Sequence, residues 1–245
     1  MGVPELSLVI PAWNEAGTIA ATVERWRGLF TTLSLAHEIL IVDDGSTDGT
    51  AGVVEHVPSA GGTELRVVRQ DNRGHGAAVR RGYVEARGAW IMQIDADDEV
   101  GPEPFARVWS QRGQADLVLG CRTDRRQALV RRAISRGARL VVRLLSGVTI
   151  EDVNAPYRLV RREILTRMLE AIPDGTATPN VAMTWLASRW GLRVVQMPVP
   201  VVRARASGSL GGWRLLRTVL GGLRDASRVY LAARRASGST NRSTA

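Results

Sequence analysis

Lysine is absent from this chain of 245 residues, and cysteine occurs once, at Cys121. A phosphate-binding loop of the kind that reaches a nucleotide through a conserved lysine is therefore excluded. A single thiol excludes an intramolecular disulfide framework and fits a reducing compartment. Aromatic residues make up only 5% of the chain. No interleaved basic and aromatic platform for stacking bases is visible, so a nucleic-acid partner is not expected. No run of 18 or more apolar residues occurs, so no membrane-spanning helix is expected. The opening Met1–Glu5 lacks the basic start and following apolar run of a secretory signal.

What the chain does have is a core and a basic surplus. Hydrophobic residues make up 44% of it, and the formal net charge is +9 from 33 basic and 24 acidic residues. Every basic residue is Arg. A biased genome would produce that preference, so the information lies in where the Arg residues fall. Residues 1–100 carry 8 Arg against 15 acidic residues and are net acidic, whereas Arg concentrates at 122–143, 158–167 and 203–235. Such a surplus suits an anionic lipid surface or a phosphorylated ligand.

The first half alternates short apolar runs with helical patterns. Strands are predicted at Leu6–Ile10, Glu38–Val42, Leu65–Arg69, Trp90–Ile94 and Asp116–Gly120. Helices are predicted at about Glu15–Phe30, after Asp48, at Gly76–Arg87 and at Pro102–Gln111. This alternation predicts an α/β fold with a mainly parallel sheet covered on both faces. The second half reads as an Arg-rich amphipathic stretch at 126–146, a loop at Thr149–Arg158, and helices near Arg161–Ala171 and Pro179–Arg189. Leu192–Val202 reads as an edge strand, because Pro198 and Pro200 cannot serve an interior ladder. The expected organisation is a domain over 1–210, an amphipathic interfacial helix over 211–236 and a polar, disordered tail over 237–245.

Asp95-Ala-Asp97-Asp98 directly follows the apolar run Trp90–Ile94. Crowded like charges at a strand end repel, and a cation among them is the simplest compensation. Hard oxygen ligands suit Mg²⁺ or Mn²⁺. Two other predicted strands end in polar clusters, Pro11-Ala-Trp-Asn14-Glu15 and Asp43-Asp44-Gly-Ser-Thr-Asp48. In a parallel sheet these ends share one edge, where open α/β sheets bind ligands. A loop, Asn72-Arg-Gly74-His-Gly76, follows the third strand, and its glycines allow close approach to a ligand.

These motifs, in this order and spacing, resemble those of the family 2 glycosyltransferases. Within that family the chain is similar to the dolichyl- and polyprenyl-phosphate synthases that use mannose or glucose. The match is strong over 5–122 and looser over 123–210. The resemblance implies a GT-A fold, a nucleoside-diphosphate sugar donor linked through GDP or UDP, a divalent metal and inverting transfer. It places Pro11, Asn14, Glu15, Asp43, Asp44, Gly74, Gly76 and Asp95 around the nucleotide sugar. Asp97 would bind the metal. Glu99 stands where the synthases carry Gln, a departure that still supplies an oxygen ligand.

The acceptor decides the remaining chemistry. A sugar hydroxyl must lose a proton as it attacks, whereas a phosphate monoester, with a second pKa of about 6, arrives mostly dianionic. A phosphate acceptor needs cationic ligands, for which the resemblance offers Arg122, Arg132 and Arg205, with Ser135 beside them. Asp152, Arg122 and Arg158 are the candidate catalytic group. Asp152 stands where hydroxyl-transferring relatives carry a base. The segment Arg205-Ala-Ser-Gly-Ser-Leu-Gly211 keeps the Arg and Gly of the synthases but not their Ser-Lys pair. Amphipathic stretches at 128–145 and 213–235 suit a bilayer headgroup region, where Arg stems snorkel.

The expectation is a hexosyltransferase acting on a polyprenyl phosphate, peripheral to the cytoplasmic membrane face. One alternative keeps the donor and uses a soluble hydroxyl acceptor with Asp152 as base. Another is a nucleotide-sugar-binding partner without turnover. The motifs do not separate GDP from UDP, Mg²⁺ from Mn²⁺ or one hexose from another, and they leave the oligomeric state open.

Overall fold

A computed structural model describes residues 3–57, 64–97, 99–123 and 150–202. The strands are β1 (Leu6–Ala12), β2 (His37–Asp44), β3 (Glu64–Gln70), β4 (Trp90–Gln93), β5 (Leu117–Arg122), β6 (Arg158–Arg161) and β7 (Val194–Val199). The helices are α1 (Ile19–Thr32), α2 (Thr50–Glu55), α3 (His75–Glu85), α4 (Phe105–Ser110), α5 (Arg162–Ala171) and α6 (Pro179–Arg189). All seven strands form one sheet in the order β3-β2-β1-β4-β6-β5-β7.

The sheet is covered on both faces, as its apolar strands require. Leu6, Leu8 and Ile10 of β1 turn to one face, where Ile19, Val23, Trp26 and Phe30 of α1 meet Phe105 and Val108 of α4. Those α1 positions fall on one side of a 3.6-residue helix. Val9 turns to the other face, against Ala78, Val79 and Tyr83 of α3, Leu165 and Met168 of α5, and Met183 and Leu186 of α6. The approach of α3 is close: a Cβ on Gly82 would lie 2.2 Å from Val9 Cγ1.

Strands β1 to β4 are parallel to one another, and β7 runs parallel to β5. The sheet is therefore mainly parallel, with one reversal that the pattern did not predict. Residues 158–161, assigned in part to the end of a loop and the start of a helix, form β6, which pairs antiparallel with β4 and with β5. Four residues are too few for periodicity to mark a strand before an immediately following helix. β7 lies at the sheet edge with β5 as its partner, as Pro198 within it required, and it ends at Val199, before Pro200. Helix α1 begins at Ile19 rather than Glu15, and α4 begins at Phe105 with Pro104 at its N-cap, later than the predicted start at Pro102. The amphipathic stretches at 128–145 and 213–235, with the interfacial helix and tail, lie outside the described residues.

Chain order reverses between β1 and β4. In an open sheet this is where the loops leaving neighbouring strands diverge and open a crevice. The residues beyond β1 and β4 are Trp13–Glu15 and Asp95–Asp97.

Candidate active site

Three loops at the C-terminal edge of the sheet are stitched into one unit. Asn14, at φ +56°, donates its backbone N–H to Ser46 Oγ at 2.9 Å and accepts from the Thr47 N–H through Oδ1 at 2.9 Å. Glu15 N–H donates to Thr50 Oγ1 at 2.9 Å, and Ala16 N–H donates to Asp48 Oδ2 at 3.0 Å. A positive φ is one that Asn tolerates better than most residues. Pro11 is buried in β1, opposite Val42.

Asp43 and Asp44 end β2 but serve different purposes. Asp43 is buried, and its Oδ1 accepts from the Ser46 N–H at 3.0 Å. Both oxygens of Asp44 face the β3–α3 loop. Its Oδ1 accepts from Gln70 Nε2 at 2.7 Å and from the Arg73 N–H at 2.9 Å, and its Oδ2 accepts from the Gly74 N–H at 2.8 Å. Asp44, expected at the base or ribose, is thus engaged in holding a loop. Gly45 takes φ +70°, and a Cβ there would lie 2.7 Å from Asn72 N. Beside this unit opens a cleft of about 400 Å³ lined by Asp43, Ser46, Thr50, Arg69 and Asp71.

Gly74 takes φ +89° at the N-cap of α3. Gly76 faces Ala177, whose carbonyl oxygen would lie 2.2 Å from a Cβ. The expected floor glycines therefore do separate work: Gly74 allows the turn, and Gly76 allows α3 to approach the loop before α6.

The acidic cluster follows β4. Asp95 Oδ1 accepts from Gln93 Nε2 at 3.1 Å and lies 3.8 Å from His75 Nε2. Burial raises the Asp95 pKa, which His75 and Arg122 oppose and Asp97 and Glu99 reinforce. Asp97 Oδ1 accepts from the Glu99 N–H at 3.2 Å. Glu99 Oε2 meets Arg122 Nη1 at 3.1 Å. Arg122, at the end of β5, also grips Asp152, with Nε to Oδ2 at 2.9 Å and Nη2 to Oδ1 at 3.4 Å. Burial lowers the Arg122 pKa, but Asp152 and Glu99 outweigh it and the net shift is upward. Carboxylates from the β4 and β5–β6 connections thus meet on one guanidinium.

The carboxylates following β4 are hard oxygen donors of the kind a divalent Mg²⁺ or Mn²⁺ ion takes. Among the described residues, no group of three or more His, Cys, Asp or Glu side chains forms a ready cage. A cation held by one or two carboxylates and completed by ligand phosphates is the usual Mg²⁺ arrangement.

Arg158 stands apart from the open site. It is wholly buried in β6, donating from Nε to Ala155 O at 2.8 Å and from Nη1 to Asn180 O at 3.0 Å. Burial lowers its pKa. Arg132, Ser135 and Arg205 lie outside the described residues, as does Asp98. The sequence reading did not assign His75, and it passed over Gln93 and Asn180. A Gln inside an otherwise apolar strand end was the available signal for Gln93.

The architecture is that of a GT-A fold. It superimposes on mannosyl-3-phosphoglycerate synthase from Rubrobacter xylanophilus with a TM-score of 0.72 at 20% identity, covering 95% of this chain and 75% of that one. Glucosyl-3-phosphoglycerate synthase from Mycobacterium tuberculosis, in complex with Mn²⁺ and uridine-diphosphate-glucose, gives a TM-score of 0.68 at 21% identity, covering 92% of this chain and 79% of that one. The chain belongs to glycosyl transferase family 2, whose pattern matches residues 7–169. It is 30% identical over 213 residues to an undecaprenyl-phosphate 4-deoxy-4-formamido-L-arabinose transferase from Pseudomonas paraeruginosa, covering 86% of this chain and 62% of the relative. The enzyme of that name from Klebsiella pneumoniae is 28% identical over 199 residues, covering 80% and 59%. The chain thus spans about three fifths of the length of these curated relatives.

Proposed function

We propose that this chain transfers a hexose from a GDP- or UDP-linked sugar to a polyprenyl phosphate, with inversion, at the cytoplasmic face of a membrane. The observation that carries this reading is Arg122, a cation at the end of β5 bridging Glu99 and Asp152 beside Asp95 and Asp97. It is supported by the undecaprenyl-phosphate transferases among the relatives.

In this reading the unit around Asp43 and the adjoining cleft receives the nucleoside. Asn14, Glu15 and the Gly74–Gly76 turn fix its walls, and Asp95 faces the ribose and sugar. Asp97 and Glu99 would hold Mg²⁺ or Mn²⁺, which when bound neutralises charge on the departing diphosphate. An acceptor phosphate oxygen attacks the anomeric carbon, forming a new C–O bond as the bond to the diphosphate breaks. No proton transfer is required, because the acceptor is already an anion. In this proposal Arg122 binds that anion, and Arg132, Ser135 and Arg205, which lie outside the described residues, are its further ligands. Asp152 aims Arg122. Arg158 supports from behind by fixing the carbonyls of Ala155 and Asn180.

A soluble hydroxyl acceptor would require Asp152 to take a proton, yet both of its oxygens meet Arg122. That contact favours the phosphate acceptor. Among the described residues no helix is long and apolar enough to cross a membrane. The proposal gives membrane contact to the Arg-rich amphipathic stretches on their sequence pattern alone. Labelled GDP- and UDP-sugars, offered with polyprenyl phosphate in detergent and Mn²⁺ or Mg²⁺, test the proposal. Label should enter the organic phase and be lost for Asp97→Asn. Metal-dependent release of nucleoside diphosphate without such label would point to a hydroxyl acceptor. Neither signal would point to a binding partner without turnover.

A further inference from the structure

Behind the acidic cluster a line of side chains runs through the core. Tyr83 of α3 donates its hydroxyl to Asn180 Oδ1 at 3.0 Å. Asn180, in the first turn of α6, donates from Nδ2 to Gln93 Oε1 at 2.8 Å. Gln93, the last residue of β4, donates from Nε2 to Asp95 Oδ1 at 3.1 Å. Tyr83, Asn180 and Gln93 are 2%, 3% and 0% exposed. Elements distant in sequence are thereby joined: α3, α6 and β4 all lead to one carboxylate.

The line has a direction. Reversing both amides would set Gln93 Oε1 against Asp95 Oδ1, two acceptors at hydrogen-bond distance. Burial drives the Tyr83 pKa upward, so its hydroxyl keeps the proton that it donates. The main chain of Asn180 is also fixed, since its carbonyl accepts from Arg158 Nη1 at 3.0 Å and from Thr184 Oγ1 at 2.9 Å. Buried polar groups are costly unless satisfied, and a chain of bonds polarised one way strengthens each member. A core that needed only volume at position 93 would be served by Met or Leu. Gln there supplies something more, an N–H aimed at a site carboxylate.

We propose that Gln93 and Asn180, with Tyr83 behind them, are positioning residues that hold the Asp95 carboxylate in the orientation the nucleotide-sugar donor requires. This rests on the reading above that Asp95 faces the donor.

Calorimetric binding of UDP-glucose and of GDP-mannose, each with Mn²⁺, tests it on the full chain. The variants are Gln93→Met, Tyr83→Phe, Asp95→Ala and the Gln93→Met/Asp95→Ala double. Gln93→Met should weaken binding of the sugar nucleotide that the parent takes by about tenfold, the worth of one well-placed bond to a charged group. Tyr83→Phe, one bond further along, should weaken it about threefold. Because Gln93 acts through Asp95, the double variant should bind no more weakly than Asp95→Ala alone. A Gln93→Met protein that melts like the parent and binds like the parent overturns the proposal. So does a double variant in which the two losses multiply. If Gln93→Met does not fold, Tyr83→Phe decides by the same criterion, and parent-like binding by it overturns the proposal. If Asp95→Ala itself binds like the parent, or the parent binds neither nucleotide, the donor-site reading has failed and the proposal falls with it. Loss of binding in Asp95→Ala with none in Gln93→Met overturns the positioning role alone.

Discussion

Arg122 grips Asp152 through two of its nitrogens, Nε to Oδ2 at 2.9 Å and Nη2 to Oδ1 at 3.4 Å, while Nη1 reaches Glu99 at 3.1 Å. The side chains of Arg122 and Asp152 are 17% and 19% exposed. Removing the cation would leave two carboxylates close together and partly desolvated. Arg122→Ala should therefore cost about 2 kcal/mol, below the range for a fully buried pair. That corresponds to a melting temperature lower by roughly 4–8 °C for a domain of this size. Arg122→Lys should recover part of the stability, since it restores the charge but not the planar fork. Thermal melts of the three proteins compare these outcomes directly.

Asp97→Asn should weaken Mn²⁺-dependent binding of nucleoside diphosphate by at least about tenfold, because an amide is a poor substitute for a carboxylate ligand to a hard cation. Titration of UDP and GDP, with Mn²⁺ and with EDTA, measures it. The melting temperature without metal should change little.

Gly76→Ala brings a methyl group against the Ala177 carbonyl, at 2.2 Å in the undisturbed backbone. Neither partner is the end of a flexible side chain, so α3 or the loop before α6 must shift. A destabilisation of about 1–3 kcal/mol is expected. Gly52→Ala is the control: a Cβ there meets nothing within 4 Å. Chemical denaturation of both variants should show the loss for Gly76→Ala alone.

Asp116 pins the start of β7 by accepting from the Arg193 backbone N–H at 3.0 Å and from its guanidinium Nη2 at 2.9 Å. The Arg193 side-chain bond, foremost, holds the Asp116 pKa below its ordinary value of 3.8. A depressed folded-state pKa means that the ionised form stabilises the fold above pH 3.8, and that this is lost as pH falls through the folded value. Asp116→Asn should thus melt lower than the parent at pH 7. The gap should close in acid below the folded-state pKa, as melts across a pH series will record.

Cys121 lies in β5 with its thiol buried, and burial pushes its pKa up to about 11. Only the thiolate is a strong nucleophile. Iodoacetamide at pH 8 should label the native protein slowly and the urea-unfolded protein fully, as mass spectrometry would show.

Much of this architecture was legible in the chain. The strands β1 to β5 announce themselves as short apolar runs, and Pro198 marked β7 as an edge. The site edge was legible too, because the acidic residues beyond β2 and β4 had to converge in a parallel sheet. β6 was not legible, since Arg158 and Arg161 break its apolar pattern and it spans only two alternations. The division between Asp43 and Asp44 also escaped the sequence. Neighbours in a strand point to opposite faces, and which face held the loop depended on where residues 70–74 came to lie. The core position of Arg158 was hidden for a related reason: Arg is ordinarily a surface residue, and of the two carbonyls that receive it only that of Ala155 is local, while that of Asn180 comes from α6.

The four residues of β6 also govern the order in which the molecule can be completed. β4 and β5 do not pair with each other; each pairs with β6, which is made about forty residues after β5 begins. While a growing chain stops short of Arg158, the assembled β3-β2-β1-β4 sheet and the β5 strand each keep an unsatisfied edge, the kind of surface that recruits other strands. A nascent or truncated chain ending before β6 is therefore exposed to aggregation, and the step that closes the gap between β4 and β5 is the same one that sets the carboxylates beyond β4 beside Arg122.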